Sequence, residues 1–193
     1  PTGLEALSGI SLTIEAGEQV AIVGQNGAGK TTLVRHFNGL LQPTLGSVLI
    51  GDWDTKKYSV AKLASRVGYV FQNPDEQLFS KDVGTEVKFG PRNLGYPKEK
   101  IDELVKRALA LTELSDKTET NPYDLSPTWR KMVALACTIS MDTDIVIFDE
   151  PTTGQDAVNI VRIANVIAEL RKRGKTVITI THDIDFCAEN FER

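Results

Sequence analysis

The stretch Gly24-Gln25-Asn26-Gly27-Ala28-Gly29-Lys30-Thr31-Thr32 has the residue types and spacing to hold a nucleotide phosphate. It fits G-x-x-x-x-G-K-[ST], in which glycines let backbone N–H groups close on phosphate oxygens. A helix opening there aims the positive end of its dipole at the same anion. Lys30 is spaced to reach the β- and γ-phosphates, and the Thr31 hydroxyl to ligate Mg²⁺. A second pair, Asp149-Glu150, closes an apolar run. An Asp there suits Mg²⁺, directly or through water, and a neighbouring Glu suits polarising an attacking water. Each group has a plainer alternative: a glycine-rich turn that caps a helix, and two acids at a strand–loop junction. Present in one chain, they point to nucleoside triphosphate chemistry.

The surrounding pattern supplies the elements such groups need. Val20-Ala21-Ile22-Val23 reads as a buried parallel strand, and Leu33, Val34, Phe37, Leu40 and Leu41 recur at helical spacing. Residues 8–14 alternate like a half-buried strand ending at the Ala16-Gly17 turn. Further strands are predicted at 46–51, 67–71, 144–148 and 176–181, with a short helix at 60–65 and a long one through Ile160–Leu170. From Asn73 the chain changes character, punctuated by Pro74, Pro91, Pro97 and Pro122. Its periodic pieces there are helical, one through Ile101–Leu111 and one through Met132–Ile139. The expected fold is α/β, with a mostly parallel, doubly wound P-loop core and a small N-terminal β part. A helical subdomain of about residues 73–140 is inserted in that core. Asp149 and Glu150 then emerge at the carboxyl edge of the sheet, where ligands of such folds bind.

Composition narrows the function classes. The 193 residues suit one domain, and 41% hydrophobic content excludes a disordered chain. No apolar run has the length to span a bilayer. A net charge of −4 weighs against a broad nucleic-acid surface. Cys137 and Cys187 lack metal-ligand spacing and read as reduced thiols of a cytosolic protein. No secretory signal is visible, and the chain begins at Pro1 rather than Met.

With Gln72 ending one predicted strand and His182 following another, the chain resembles the ATP-binding subunit of an ABC transporter over nearly its whole length. Gln72 stands where that family has its Q-loop glutamine, and Asp149-Glu150-Pro151-Thr152 is similar to its Walker B motif. Asp156 matches the D-loop aspartate and His182 the switch histidine. The resemblance implies bound ATP and Mg²⁺, and a dimer in which each ATP lies between one subunit's P-loop and the other's signature loop. It implies that Thr31, Gln72 and Asp149 serve the metal, and that Glu150, His182 and Gln72 serve hydrolysis. The implied partners are a second ATP-binding subunit, a transmembrane coupling subunit and a substrate-binding membrane protein, with no nucleic acid. The implied location is peripheral, at the cytoplasmic face of the plasma membrane. His36 matches no family motif and reads as structural. Gln72-Asn73-Pro74-Asp75-Glu76-Gln77-Leu78-Phe79 and Phe89-Gly90-Pro91-Arg92-Asn93-Leu94-Gly95 are similar to stretches of the energy-coupling-factor and cobalt-type importer ATPases, with another ABC importer as the alternative.

The sequence departs from the family at its signature. In place of Leu-Ser-Gly-Gly-Gln it has Leu125-Ser126-Pro127-Thr128-Trp129. Pro127 has no N–H to offer a γ-phosphate, and Thr128 and Trp129 add side chains where close backbone approach is wanted. Ser126 retains a donor for the partner's nucleotide, and Asp156 stands in Gly154-Gln155-Asp156, where the family often has Ala-Leu before the Asp. Two readings follow. Either this subunit joins a different ATPase whose intact signature completes a competent site, or it pairs with itself with both sites impaired or the sequence is a variant. No aromatic precedes Phe37, so the adenine-stacking residue of the family is absent, and both ends read as clipped from a longer domain. The leading reading is an ATP hydrolase driving import of a vitamin or transition-metal ion. The alternatives are a regulatory ABC module with weak hydrolysis and a non-transport ABC ATPase.

Overall fold

A computed structural model describes residues 6–193; Pro1 to Glu5, with the expected N-terminal boundary, lie outside the described residues. Four parallel strands form the central sheet: β1 (Gln19–Val23), β4 (Val67–Val70), β5 (Ile145–Asp149) and β6 (Thr176–Thr181), in the order β1-β6-β5-β4. Alternation sorts their side chains to two faces. Val146, Phe148 and Val177 join a core with the helices α3 (Val83–Asn93), α4 (Lys98–Leu111), α5 (Pro127–Ser140) and α6 (Ala157–Lys172). Tyr69, Ile147, Ile178 and Ile180 join Val34 and Phe37 of α1 (Lys30–Phe37) on the other face. Helices on both faces of a parallel sheet make this the α/β P-loop fold expected from the alternating pattern.

The helix starts are legible in the local chemistry. Asp82, Asp156 and Asp183 cap α3, α6 and α7 (Ile184–Asn190) by accepting hydrogen bonds from the N–H groups of Thr85, Asn159 and Phe186. Ser59 does the same for α2 (Val60–Leu63). Gly29, at φ 88°, is the left-handed residue from which α1 departs. The apolar spacing predicts that α1 continues to Leu41, but it stops at Phe37 because Gly39 turns left-handed at φ 76°.

Three elements differ from expectation. Residues 8–14 form no strand; Ile10 and Leu12 are exposed, and no ladder partner lies beside them among the described residues. The N-terminal β part is instead a two-stranded antiparallel hairpin, β2 (Leu49–Ile50) with β3 (Trp53–Asp54). Helix α3 is unforeseen because Pro91 reads as a breaker. It sits in the last turn, and the Val87 carbonyl that its missing N–H would serve accepts from the Ser140 hydroxyl at 2.8 Å. Helix α7 is also unforeseen, being only seven residues long.

Gly68 shows how closely α5 lies on β4. A Cβ there would stand 2.7 Å from Thr138 Cγ2 and 2.9 Å from Thr143 Oγ1. Gly68→Ala is therefore expected to destabilise the domain by about 2–3 kcal/mol. Urea unfolding checks this: the midpoint falls while the slope of the transition stays that of the parent.

Candidate nucleotide site

Parallel register alone brings four chain segments to one sheet edge. Val23 pairs with Thr181, so Gly24 and His182 leave the sheet side by side. Phe148 pairs with Thr179 and with Val70, so Glu150 and Gln72 leave at the same edge. This is the carboxyl end of every strand, and the glycine-rich loop from β1 to α1 arches over it.

Gly27 and Gly29 hold φ values of 83° and 88°, a region that disfavours any side chain bearing a Cβ. Lys30 curls into the loop, its Nζ donating to the carbonyls of Gly24 at 2.7 Å and Gln25 at 3.1 Å. The same Nζ is 3.6 Å from Glu150 Oε1, and both side chains are largely buried. A cation at the mouth of a ring of backbone donors suits the anionic oxygens of a triphosphate.

Asp149 is buried, with both oxygens in use. Thr31 Oγ1 donates to Oδ1 at 3.2 Å, and Tyr69 OH donates to Oδ2 at 2.6 Å. Tyr69 pairs with Ile147, whose face of the sheet Asp149 shares, so the phenol extends along that face to the carboxylate. Burial and then the Asp149 carboxylate push the Tyr69 phenol well above its ordinary pKa, partly opposed by the guanidinium of Arg35. The Thr31 hydroxyl and the Asp149 carboxylate are hard oxygen donors converging on one point. Among the described residues no trio of His, Cys, Asp or Glu forms an all-protein metal cage. That donor set fits Mg²⁺, which keeps water and phosphate oxygens in its shell.

Glu150 occupies the left-handed region at φ 47°, a conformation costing a non-glycine residue about 1 kcal/mol or more. Its N–H donates to the Ile180 carbonyl at 2.8 Å, which fixes the turn. Oε2 lies 2.8 Å from His182 Nδ1 and accepts from Thr153 Oγ1 at 3.3 Å. Because a carboxylate only accepts, the proton of this contact is on Nδ1. His182 is otherwise open to solvent, with 56% of its side chain exposed.

The structure thus brings Gly24 to Thr32, Asp149, Glu150 and His182 together, with Gln72 exposed at the same edge. Ser126 and Asp156 make their hydrogen bonds elsewhere. Ser126 Oγ accepts from the Trp129 N–H at 3.5 Å and caps α5, with Pro127 as its first residue. Asp156 accepts from Asn159 and caps α6. Trp129 packs against the helical core, with Lys117 Nζ 4.8 Å and Arg162 Cζ 4.9 Å from its ring centre. His36 Nδ1 lies 2.7 Å from the Thr32 carbonyl one turn earlier in α1.

Two contributors escape the sequence pattern. Tyr69 reads only as an apolar strand residue, and Lys131 only as a charge beside the signature. Lys131 is 1% exposed, and its Nζ donates to the carbonyls of Phe71 at 3.0 Å and Gln72 at 2.8 Å. Burial lowers its amine to about 8, against the pull of the Asp149 and Glu150 charges. A Tyr69→Phe change tests the first contributor. It is expected to cost about 2 kcal/mol of stability by leaving a buried carboxylate oxygen unpaired. It is also expected to raise the Mg²⁺ needed for half-maximal nucleotide binding by about tenfold. Denaturation and Mg²⁺ titration read the two effects separately.

A glycine-rich loop between β1 and α1, facing an acidic strand end across a parallel sheet, defines a P-loop nucleotide-binding domain. The ABC transporter family model matches residues 7–153, and the chain belongs to that family. A putative ABC transporter ATP-binding protein of Pyrococcus furiosus is 46% identical over 97% of this chain and 72% of its own length. The energy-coupling factor transporter ATP-binding protein EcfA of Methanocaldococcus jannaschii is 43% identical over 96% of this chain and 67% of its own length. Against a putative ABC transporter ATP-binding protein of Methanosarcina acetivorans, 46% identical, the chain spans only 31% of the relative's length. Among solved structures, cbiO1 of Clostridium perfringens, part of the ABC transporter complex cbiONQ, superposes with a TM-score of 0.85 at 38% identity. That match covers 96% of this chain and 75% of that one. An ATP-binding cassette in a dimeric post-hydrolysis state with ADP and Pi superposes at 0.83 and 28% identity, covering 94% and 82%.

Proposed function

We propose that the chain is the ATP-hydrolysing subunit of a membrane importer of the energy-coupling type, carrying a vitamin or a transition-metal ion. The observation that carries this reading is the convergence of Lys30, Glu150 and His182 within 3.6 Å and 2.8 Å contacts beside the Thr31–Asp149 pair. A bare phosphate-binding loop does not require a strained carboxylate facing its lysine. In this reading Gly24 to Thr32 cradle ATP, and Thr31, Asp149 and Gln72 serve Mg²⁺. When bound, Mg²⁺ supplies charge neutralisation of the phosphates. Glu150 orients and polarises the attacking water, and His182 holds Glu150 in place. Relatives named as energy-coupling factor ATPases and the cbiO1 neighbour support the importer class. No helix of the described residues is long and apolar enough to cross a membrane, and in this reading the chain attaches there through partners. These are a coupling subunit, a substrate-binding membrane protein and a second ATPase, at the cytoplasmic face of the plasma membrane.

A second reading, a regulatory module with weak hydrolysis, draws on the signature turn. With Pro127 lacking an N–H, Trp129 N–H bound to Ser126 Oγ and Arg130 N–H to the Ser126 carbonyl, Thr128 alone keeps a free donor in the first turn of α5. In a heterodimer this turn faces the partner's ATP and makes a weak site, while the chain's own Glu150 site is completed by the partner. Purification of the full-length chain from membranes tests the assignment. Co-purification of a second ATPase and two integral membrane proteins, with phosphate release by the complex, is expected. Hydrolysis at full rate by the chain alone would overturn the heterodimer arrangement.

A further inference from the structure

The backbone of β4 leaves the sheet after Val70, two residues before Gln72. Val70 is the last residue paired with β5, so the carbonyls of Phe71 and Gln72 have no strand partner. Both are taken by one buried amine, Lys131 Nζ, at 3.0 Å and 2.8 Å. Lys131 lies five positions after Ser126, in the opening turns of α5. The same helix holds the flanks of this segment. Thr138 Oγ1 donates to the Tyr69 carbonyl, Gln77 Nε2 donates to the Ala134 carbonyl, and Arg130 pairs with Asp75. Of these ties only Lys131 acts at Gln72 itself.

The contact is poorly explained as stabilisation alone. No carboxylate lies within ion-pair distance of Lys131 among the described residues, so its burial is offset only by carbonyl acceptors and the more distant charges of Asp149 and Glu150. What it does achieve is geometric. It ties the helix that begins at the signature turn to the Gln72 backbone through one amine.

We propose that Lys131 is a positioning residue that links the signature turn to Gln72, so that engagement of that turn by the partner subunit sets Gln72 at this chain's own γ-phosphate. The inference rests on the ATPase reading above for the role of Gln72. The link moves no proton and forms no bond to substrate; it acts through the Gln72 main chain.

The test is a double-mutant cycle in the assembled membrane complex. Lys131→Met is expected to lower kcat by about tenfold or more with KM for ATP within about twofold, because positioning is felt in the transition state. Lys131→Gln, which keeps N–H donors, is expected to recover most of the loss. In a Gln72→Ala background, Lys131→Met is expected to cost less than about twofold, since its route is already cut. An undiminished loss in that background would show general structural support and overturn the inference. Amide exchange of residues 71–73 in the full-length chain gives a readout independent of hydrolysis. Exchange about tenfold faster in Lys131→Met, with the parent rate in Lys131→Gln, supports the link; unchanged exchange overturns it. Should Lys131→Met fail to fold, Lys131→Ala is read in its place: exchange at 71–73 about tenfold faster than in the parent supports the link, and the parent rate overturns it. A parent complex releasing no more phosphate than its Glu150→Gln variant strikes the ATPase reading and leaves exchange to decide the link.

Discussion

Glu150→Gln is expected to lower phosphate release by the assembled complex by about 10²–10⁴-fold, the usual contribution of a positioned base. The change is nearly isosteric, so the turn at φ 47° and the N–H bond to the Ile180 carbonyl persist. What is lost is the negative charge between Lys30, 3.6 Å away, and His182, 2.8 Å away. Removing it relieves Lys30 of a carboxylate neighbour and leaves the amine to the Gly24 and Gln25 carbonyls and to phosphate oxygens. ATP affinity should therefore hold or rise while turnover falls. Nucleotide binding by calorimetry and single-turnover phosphate release separate the two quantities. Equal release by mutant and parent would favour a regulatory module over an ATPase.

The second large effect concerns the altered signature. Pro127→Gly restores a backbone N–H at the start of α5, while Thr128→Gly and Trp129→Gln clear side chains from the approach to it. Each regained hydrogen bond to an anionic oxygen contributes about 1.5–3 kcal/mol, so ATP-dependent association is expected to tighten by at least about tenfold. The same change removes Trp129 from its place between Lys117 and Arg162 and from the helical core. A loss of about 1–3 kcal/mol in stability is expected to accompany the gain in association, from lost apolar burial and cation–π contact. Sedimentation with and without ATP, beside a melting curve, reads both. Trp129→Gln alone is the control: it should lower stability without tightening association. If the triple change left ATP-driven association as it was, the altered residues would not be the cause of a weak site.

The two predictions draw on different kinds of information. The glycine-rich loop proposed to cradle phosphate is visible in a contiguous motif because one turn of backbone, with glycines at φ 83° and 88°, would suffice for the task. The strand ends at Asp149 and before His182 are visible because buried parallel strands are short apolar runs and their carboxyl ends are where ligand groups cluster. Gly39 and Pro91 defeat the same periodic reading. The first stops α1 while apolar spacing continues to Leu41. The second is tolerated in α3 because a hydroxyl 49 positions later, on Ser140, satisfies the Val87 carbonyl. The alternating residues 8–14 form no strand because alternation supplies a face, and a ladder needs a partner as well.

The residues of this chain by themselves determined the four strands of the central sheet, the glycine-rich loop motif, and the carboxylate and histidine at two strand ends, because each is set by local pattern. Tertiary structure alone decided what holds them. Tyr69 reaches Asp149 across 80 positions, and Lys131 reaches the Gln72 carbonyl across 59. Those contacts exist only once the register of β4 on β5 and the packing of α5 beneath them are fixed. Neither register nor packing leaves a periodic trace in the residues that depend on it.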